Sequence, residues 1–168
     1  PEDAVFARAV GVRPVINSLS QAQLWLETGG GPCDLMVDTG MNRLGLPMTM
    51  LGDPLIARLE VDTLLSHLAS ADEQSALNEK QLGRFAQVCA AIPAQRRSLA
   101  NSAGIALGSR FAFDLTRPGL ALYGGIPRNE LAGAISQVAY PQAAILQLRE
   151  IGPGDTVGYN ATFTATSP

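Results

Sequence analysis

The sequence predicts an α/β protein built on a parallel sheet, and three observations lead there. Short apolar runs alternate with helix-patterned stretches along most of the 168 residues. The runs recur about every 20 to 35 residues, the spacing of βαβ units. Polar residues follow most of the runs, which is where parallel sheets present groups to ligands.

Each element has a local reason. Glu2 and Asp3 after Pro1 suit a first helical turn, and Ala4, Val5, Phe6, Ala9 and Val10 supply an apolar face that Gly11 ends. Residues 13–17 form a first strand. A helix over 21–27 stops at the glycines 29–31. Residues 34–38 form a second strand, and a helix over 49–58 carries Pro54 near its first turn. The third strand is 61–67, after which Ser70 is a good N-cap for a long helix over 72–92. Residues 98–101 give a fourth strand, a short helix follows Ser102, and 119–123 give a fifth strand. After Tyr123 the character changes. Residues 143–150 and 156–164 are strand-like with no helix between them, and 151–155 (IGPGD) is a turn, so the chain is expected to open a β domain there.

Composition removes several classes of function. Hydrophobic residues make up 46% and charged residues 16%, which excludes disorder driven by charge. No apolar run reaches the roughly 20 residues needed to span a bilayer, and no basic segment precedes an apolar one as in a secretory leader; no membrane partner is expected. The net charge is -3 and the basic residues are scattered, so nucleic acid is not an expected partner either. Cys33 and Cys89 lack metal-ligand spacing and are too few for a disulfide scaffold, which points to a reducing, cytoplasmic setting and no metal site. The chain holds eleven arginines and one lysine, Lys80.

The residues at the strand ends are Asn17 and Ser18, then 38–43 (DTGMNR), Ser66 and His67, Asn101 and Ser102, and 117–119 (RPG). Singly, each fits capping or turn formation. Together they favour a site. His67, the sole histidine, is either a satisfied core imidazole or a proton relay. Ser102, where a helix begins, is either a plain N-cap or part of a phosphate site. Arg43 and Arg117 are either solvated charges or ligand contacts. The Asp-Thr-Gly at 38–40 matches aspartic proteases, but Met41 replaces their small residue and the helix-rich surroundings do not suit an all-β protease. The triple glycine follows a helix and precedes a strand, the reverse of a dinucleotide-binding turn.

Five ordered segments resemble the alanine racemases, a fold-type III family using pyridoxal 5'-phosphate: RPVINS (13–18), VDTGMNRLG (37–45), SHLASADE (66–73), SLANSA (98–103) and RPGLALYG (117–124). VGYNATFTA (157–165) is similar to the opening of that family's C-terminal β domain. The resemblance implies a (β/α)8 barrel followed by a β domain, working as a homodimer whose sites use both subunits. A full barrel takes roughly 250 residues. The segment therefore corresponds to about barrel strands four to eight over 1–135, with the start of the β domain over 136–168.

The same resemblance implies roles. Arg117 would hydrogen-bond the cofactor's pyridine nitrogen, and His67, with Arg43 one of the catalytic pair, would contact Arg117 and help position the tyrosine base. Arg43 would stand near the cofactor's phenolic oxygen and the substrate carboxylate. Ser102 and the amides of Gly119 and Leu120 would hold the phosphate beside Asn101, and Met41 would line the substrate pocket. The lysine and the tyrosine that act as the two bases would lie before Pro1 and after Pro168, so the segment alone is expected to be inactive. The intact parent would interconvert L- and D-alanine, supplying D-alanine for peptidoglycan; alternatives are a racemase of serine or another amino acid, a non-catalytic barrel binding pyridoxal phosphate, or a structural fragment. Many members carry a carbamylated lysine two residues before the Asp of the DTG motif. Here that residue is Met36, which offers no charge, so Arg43 would need another anion, either chloride or Asp38.

Overall fold

The computed structural model describes residues 2–167. In chain order its regular elements begin with α1 (Glu2–Ala9), β1 (Val15–Ile16), α2 (Leu19–Glu27), β2 (Pro32–Asp38), β3 (Leu46–Pro47) and β4 (Glu60–Leu65). They continue with α3 (Ala76–Ala91), β5 (Arg96–Ser98), α4 (Ser102–Ile105), α5 (Ser109–Ala112), β6 (Thr156–Val157) and β7 (Phe163–Thr164). Strands β1, β2, β4 and β5 lie side by side in that order, and β3 pairs with the carboxyl end of β2. Every pairing in this sheet is parallel. A single parallel bridge between Asn101 and Arg117 continues the arc beyond β5.

Alternation along β2 sets the two faces of the sheet. Cys33, Leu35 and Val37 are fully buried, whereas Asp34, Met36 and Asp38 between them are half-buried. The buried set joins one core with Ala22 and Trp25 of α2 and Leu82, Phe85 and Val88 of α3. Both helices start on a serine in extended conformation: Ser18 Oγ accepts from Gln21 N–H, and Ser75 Oγ accepts from Leu77 N–H. Burial raises the Cys33 thiol pKa to about 11, so it packs as an inert apolar group.

Four expected elements differ. Residues 49–58 form two isolated 3-10 turns, Met48–Met50 and Ile56–Arg58, because Asp53-Pro54 interrupts them: Pro54 restricts Asp53, whose Oδ1 accepts from Leu55 N–H at 2.9 Å. The long helix starts at Ala76 under Ser75 rather than near Ser70, which leaves residues 66–75 as a loop. Residues 119–123 are not a strand. Leu120–Tyr123 is a 3-10 helix, drawn over by two amide hydrogen bonds to Ser102 Oγ. Residues 143–150 form no strand, since no described strand runs beside them, while 156–164 contains the antiparallel pair β6 and β7.

Phe85 is fully buried and meets Phe113 edge to face, with ring centroids 5.0 Å apart. Phe85→Ala removes this contact and leaves a cavity between α3 and the sheet. The expected loss is about 3–5 kcal/mol, read from the shift in urea midpoint; a loss below about 1 kcal/mol would place Phe85 outside the core.

Candidate functional site

The carboxyl ends of β4 and β5 and the turn after Arg117 surround a cavity of about 370 Å³. His67, Asn101, Ser102, Gly119 and Leu120 line it, together with Leu68, Ala71 and Pro127. Five residues singled out from the sequence thus meet at one void. They arrive from three loops because parallel strands end on the same side of a sheet.

Ser102 is buried, and its Oγ accepts from Gly119 N–H at 2.9 Å and from Ala121 N–H at 3.1 Å. With both lone pairs taken, its hydroxyl proton is the one it has left to donate. Asn101 caps α4: its Oδ1 accepts from Gly104 N–H at 2.9 Å, and its Nδ2 donates to Leu68 O at 3.4 Å. Gly119 presents no Cβ, and one added there would meet nothing within 4 Å.

Arg117 donates to Ser66 O and to Ser98 Oγ, which fixes its guanidinium between the ends of β4 and β5. Ser98 Oγ in turn donates to Leu115 O at 2.6 Å. Burial alone pulls the Arg117 pKa down, with no carboxylate opposing it. His67 is half-buried, and burial, then the charges of Arg117 and Arg43, hold its imidazole below the ordinary histidine value. His67 and Arg117 therefore share one end of the sheet, close enough to repel when both are charged.

Arg43 and Met41 sit differently. Arg43 is exposed and forms no ion pair among the described residues; its charge reaches the site through its effect on His67. Met41 is half-buried beside the turn, away from the cavity wall. Asp38 does not pair with Arg43. Its Oδ1 accepts from Gly40 N–H at 2.8 Å and Met41 N–H at 2.9 Å, closing the turn that carries both residues. Met36 packs beside Gly45, where an added Cβ would lie 3.0 Å from Met36 Cγ. Lys80 is exposed on α3, and among the described residues no three His, Cys, Asp or Glu side chains are grouped to hold a metal ion.

Gln81 and Arg128 have structural roles that the sequence reading did not identify. Gln81 is fully buried; its Nε2 donates to His67 O at 2.9 Å and Thr39 Oγ1 at 3.2 Å, and its Oε1 accepts from Ala69 N–H at 2.9 Å. A signal for it existed, because Asn78, Gln81, Leu82, Phe85 and Val88 recur at helical spacing on the buried face of α3. Arg128 follows Pro127 in an irregular segment and carries no periodic signal at all.

The position of His67 has a consequence for pH. In the unfolded chain its imidazole takes a proton at about pH 6.5, and in the fold only at lower pH. Stability is thus complete above the unfolded value and declines as pH falls toward the folded one. Histidine-selective NMR should give a midpoint below 6.5 that rises in Arg117→Gln. A midpoint at or above 6.5 would remove His67 from its place between two arginines.

Comparison with known proteins agrees with this geometry. Residues 1–127 match the family model "Alanine racemase, N-terminal domain". An alanine racemase of Methylobacterium nodulans is 43% identical over all of this chain, which covers 48% of that protein. A biosynthetic alanine racemase of Agrobacterium fabrum is 46% identical over 89% of the chain and 41% of its own length. The chain spans about half the length of these curated relatives. Among solved structures, alanine racemase from Bartonella henselae with covalently bound pyridoxal phosphate superimposes with a TM-score of 0.74 at 37% identity, covering all of this chain and 50% of that one. The biosynthetic enzyme of Pseudomonas aeruginosa gives 0.75 at 32% identity, over 99% of this chain and 50% of that one. With a family model over residues 1–127 and relatives this similar along its whole length, the chain belongs to the alanine racemase family.

Proposed function

We propose that this chain is the cofactor-holding part of a pyridoxal 5'-phosphate-dependent alanine racemase, and that the intact protein interconverts L- and D-alanine. One observation carries the reading: Arg117 stands at the cavity end of the sheet with no ion pair among the described residues, near a serine with a proton to donate. A phosphate and an unprotonated ring nitrogen both want donors, and this chain supplies donors there.

The chain's residues divide the work. Ser102 would donate its remaining proton to a phosphate oxygen, with Asn101 and the turn at Gly119 and Leu120 shaping the cradle. Arg117, held by Ser66 O and Ser98 Oγ, would donate to the cofactor's ring nitrogen, which would then stay unprotonated. His67 stays neutral beside this guanidinium, because burial and then the Arg117 charge oppose its protonation. Arg43 offers a positive charge to the substrate carboxylate and Met41 limits the space around it. The cofactor, when bound, supplies the electron-withdrawing ring that acidifies the substrate's α-proton.

The parallel arc and its bridge at Arg117 support a reading of residues 1–135 as about strands four to eight of a (β/α)8 barrel. The separate hairpin of β6 and β7 supports 136–168 as the opening of a β domain. The family reading extends to a homodimer, a cytoplasmic location and D-alanine supply for peptidoglycan. No described helix is long and apolar enough to cross a membrane.

The test is racemisation by the intact protein, followed by chiral chromatography from either enantiomer of alanine. Arg117→Glu, which would let the ring nitrogen take a proton, should lower kcat at least about a hundredfold, as loss of electrostatic preorganisation does. Cofactor bound without exchange of alanine would sink the reading, and faster turnover of serine would move it to the serine-acting alternative. A further outcome concerns Met36. With no ion pair to Arg43 among the described residues and Asp38 engaged by two amides, activity should depend on chloride and not on bicarbonate. Loss of activity on removing bicarbonate alone would refute the role given to Met36.

A further inference from the structure

The loop of residues 66–73 forms one wall of the cavity, and side chains from several elements hold its backbone. Arg117 binds Ser66 O, Gln81 binds His67 O, and Asn101 binds Leu68 O. Beyond these, Arg128 donates from one terminal nitrogen to Ala71 O at 2.8 Å and Glu73 O at 3.1 Å. Its other donors meet Glu130, at 2.6 Å and 3.3 Å. The Arg128 side chain is 5% exposed, while Glu130 is half in solvent.

A buried guanidinium is a poor choice for stability alone, because an apolar side chain of similar volume does as well or better. Its distinguishing property is the planar fork, which can bind a carboxylate on one edge and backbone carbonyls on the other. Pro127, the residue before it, lines the same cavity as Ala71, and 57 positions separate Arg128 from Ala71. Arg128 therefore fastens two segments of the cavity wall that no backbone hydrogen bond connects among the described residues.

We propose that Arg128 is a positioning residue that sets the cavity wall for cofactor retention, with Glu130 orienting its fork. The inference rests on the pyridoxal phosphate reading above. Without Arg128, the Ala71 carbonyl loses its donor and the Glu73 carbonyl keeps only Asn78 Nδ2, the wall at 71–73 relaxes toward solvent, and bound phosphate escapes faster.

Intact enzyme carrying Arg128→Lys, Arg128→Met or Glu130→Gln would be stripped of cofactor and titrated with pyridoxal phosphate, with the dissociation constant, the release rate and the apoenzyme Tm measured in parallel. Arg128→Met should weaken retention about tenfold or more, the scale of losing a charged hydrogen-bond donor to buried carbonyls. Arg128→Lys should recover part of this, since one ammonium can reach a carbonyl but cannot fork, and Glu130→Gln should fall between wild type and Arg128→Lys. If Arg128→Met does not fold, the other two variants carry the measurement. A lower Tm with unchanged cofactor affinity in Arg128→Lys and Glu130→Gln would overturn the positioning role alone. Wild-type protein that takes up no pyridoxal phosphate would overturn the cofactor reading, and this inference with it.

Discussion

Gln81 ties the carboxyl ends of two parallel strands to the helix that covers them, and the site depends on that tie. Its amide reaches Thr39 at the end of β2 and both His67 and Ala69 after β4, and Thr39 Oγ1 lies 2.7 Å from Ser66 Oγ. Arg84, one turn along α3, adds a hydrogen bond to Thr39 O at 3.0 Å. Leaving one such buried group without its partner costs about 1–3 kcal/mol, so these strand ends have little freedom to drift. Strand pairing fixes the sheet up to Met36 and Leu65; past that point the polar network carries the register forward to the loops that hold Arg43 and His67.

Charge is distributed along the sheet in a way that follows from the same geometry. At the amino ends, Arg13 and Arg96 both bind Asp62, Asp34 lies 3.8 Å from Arg13, and Asp34 also accepts from Thr63 N–H. The hydrogen bond from Arg96, foremost, holds the Asp62 carboxyl below its usual range. At the carboxyl ends the balance is opposite. Among the described residues Arg117 and Arg43 form no ion pair, and Asp38 turns its own carboxylate to backbone amides. Asp72 also lines the cavity, so the two guanidinium groups, which form no ion pair among the described residues, offer their charge to anions such as a phosphate or an amino-acid carboxylate beside one acidic side chain.

Much of this was legible in the sequence, for reasons that differ by residue. The alternation in 34–38 and the apolar spacing of α3 are local patterns that burial on one face imposes, so they survive without tertiary knowledge. Residues 119–123 have the same apolar look as a strand, but Ser102, distant in sequence, captures two of their amides and curls them into a 3-10 turn. Residues 143–150 alternate as a strand would, yet a strand needs a neighbour as well as a pattern. The network of Gln81 had a visible sign in a polar residue on an apolar helical face. Arg128 had none, since its partners are carbonyls whose positions only the folded loop defines.

The DTG segment shows how to separate what a motif does for itself from what it offers elsewhere. Asp38 closes the turn, Thr39 is buried in the network, and Gly40 adopts φ +143, while Asn42 takes the left-handed conformation that asparagine tolerates. At Gly45, with φ +115, an added Cβ would come within 2.8 Å of Asp38 N, so any side chain would drive β3 away from β2. Val37 and Leu46 are fully buried. That accounts for the shape of the loop and leaves Met41, Arg43 and Leu44, none of which it needs to hold its own form. Leu44 is 62% exposed and Arg43 is also exposed. A loop with this many fixed positions holds Arg43 and Leu44 in solvent while Met41 stays half-buried beside the turn, so the outward set follows from the turn that Asp38 closes.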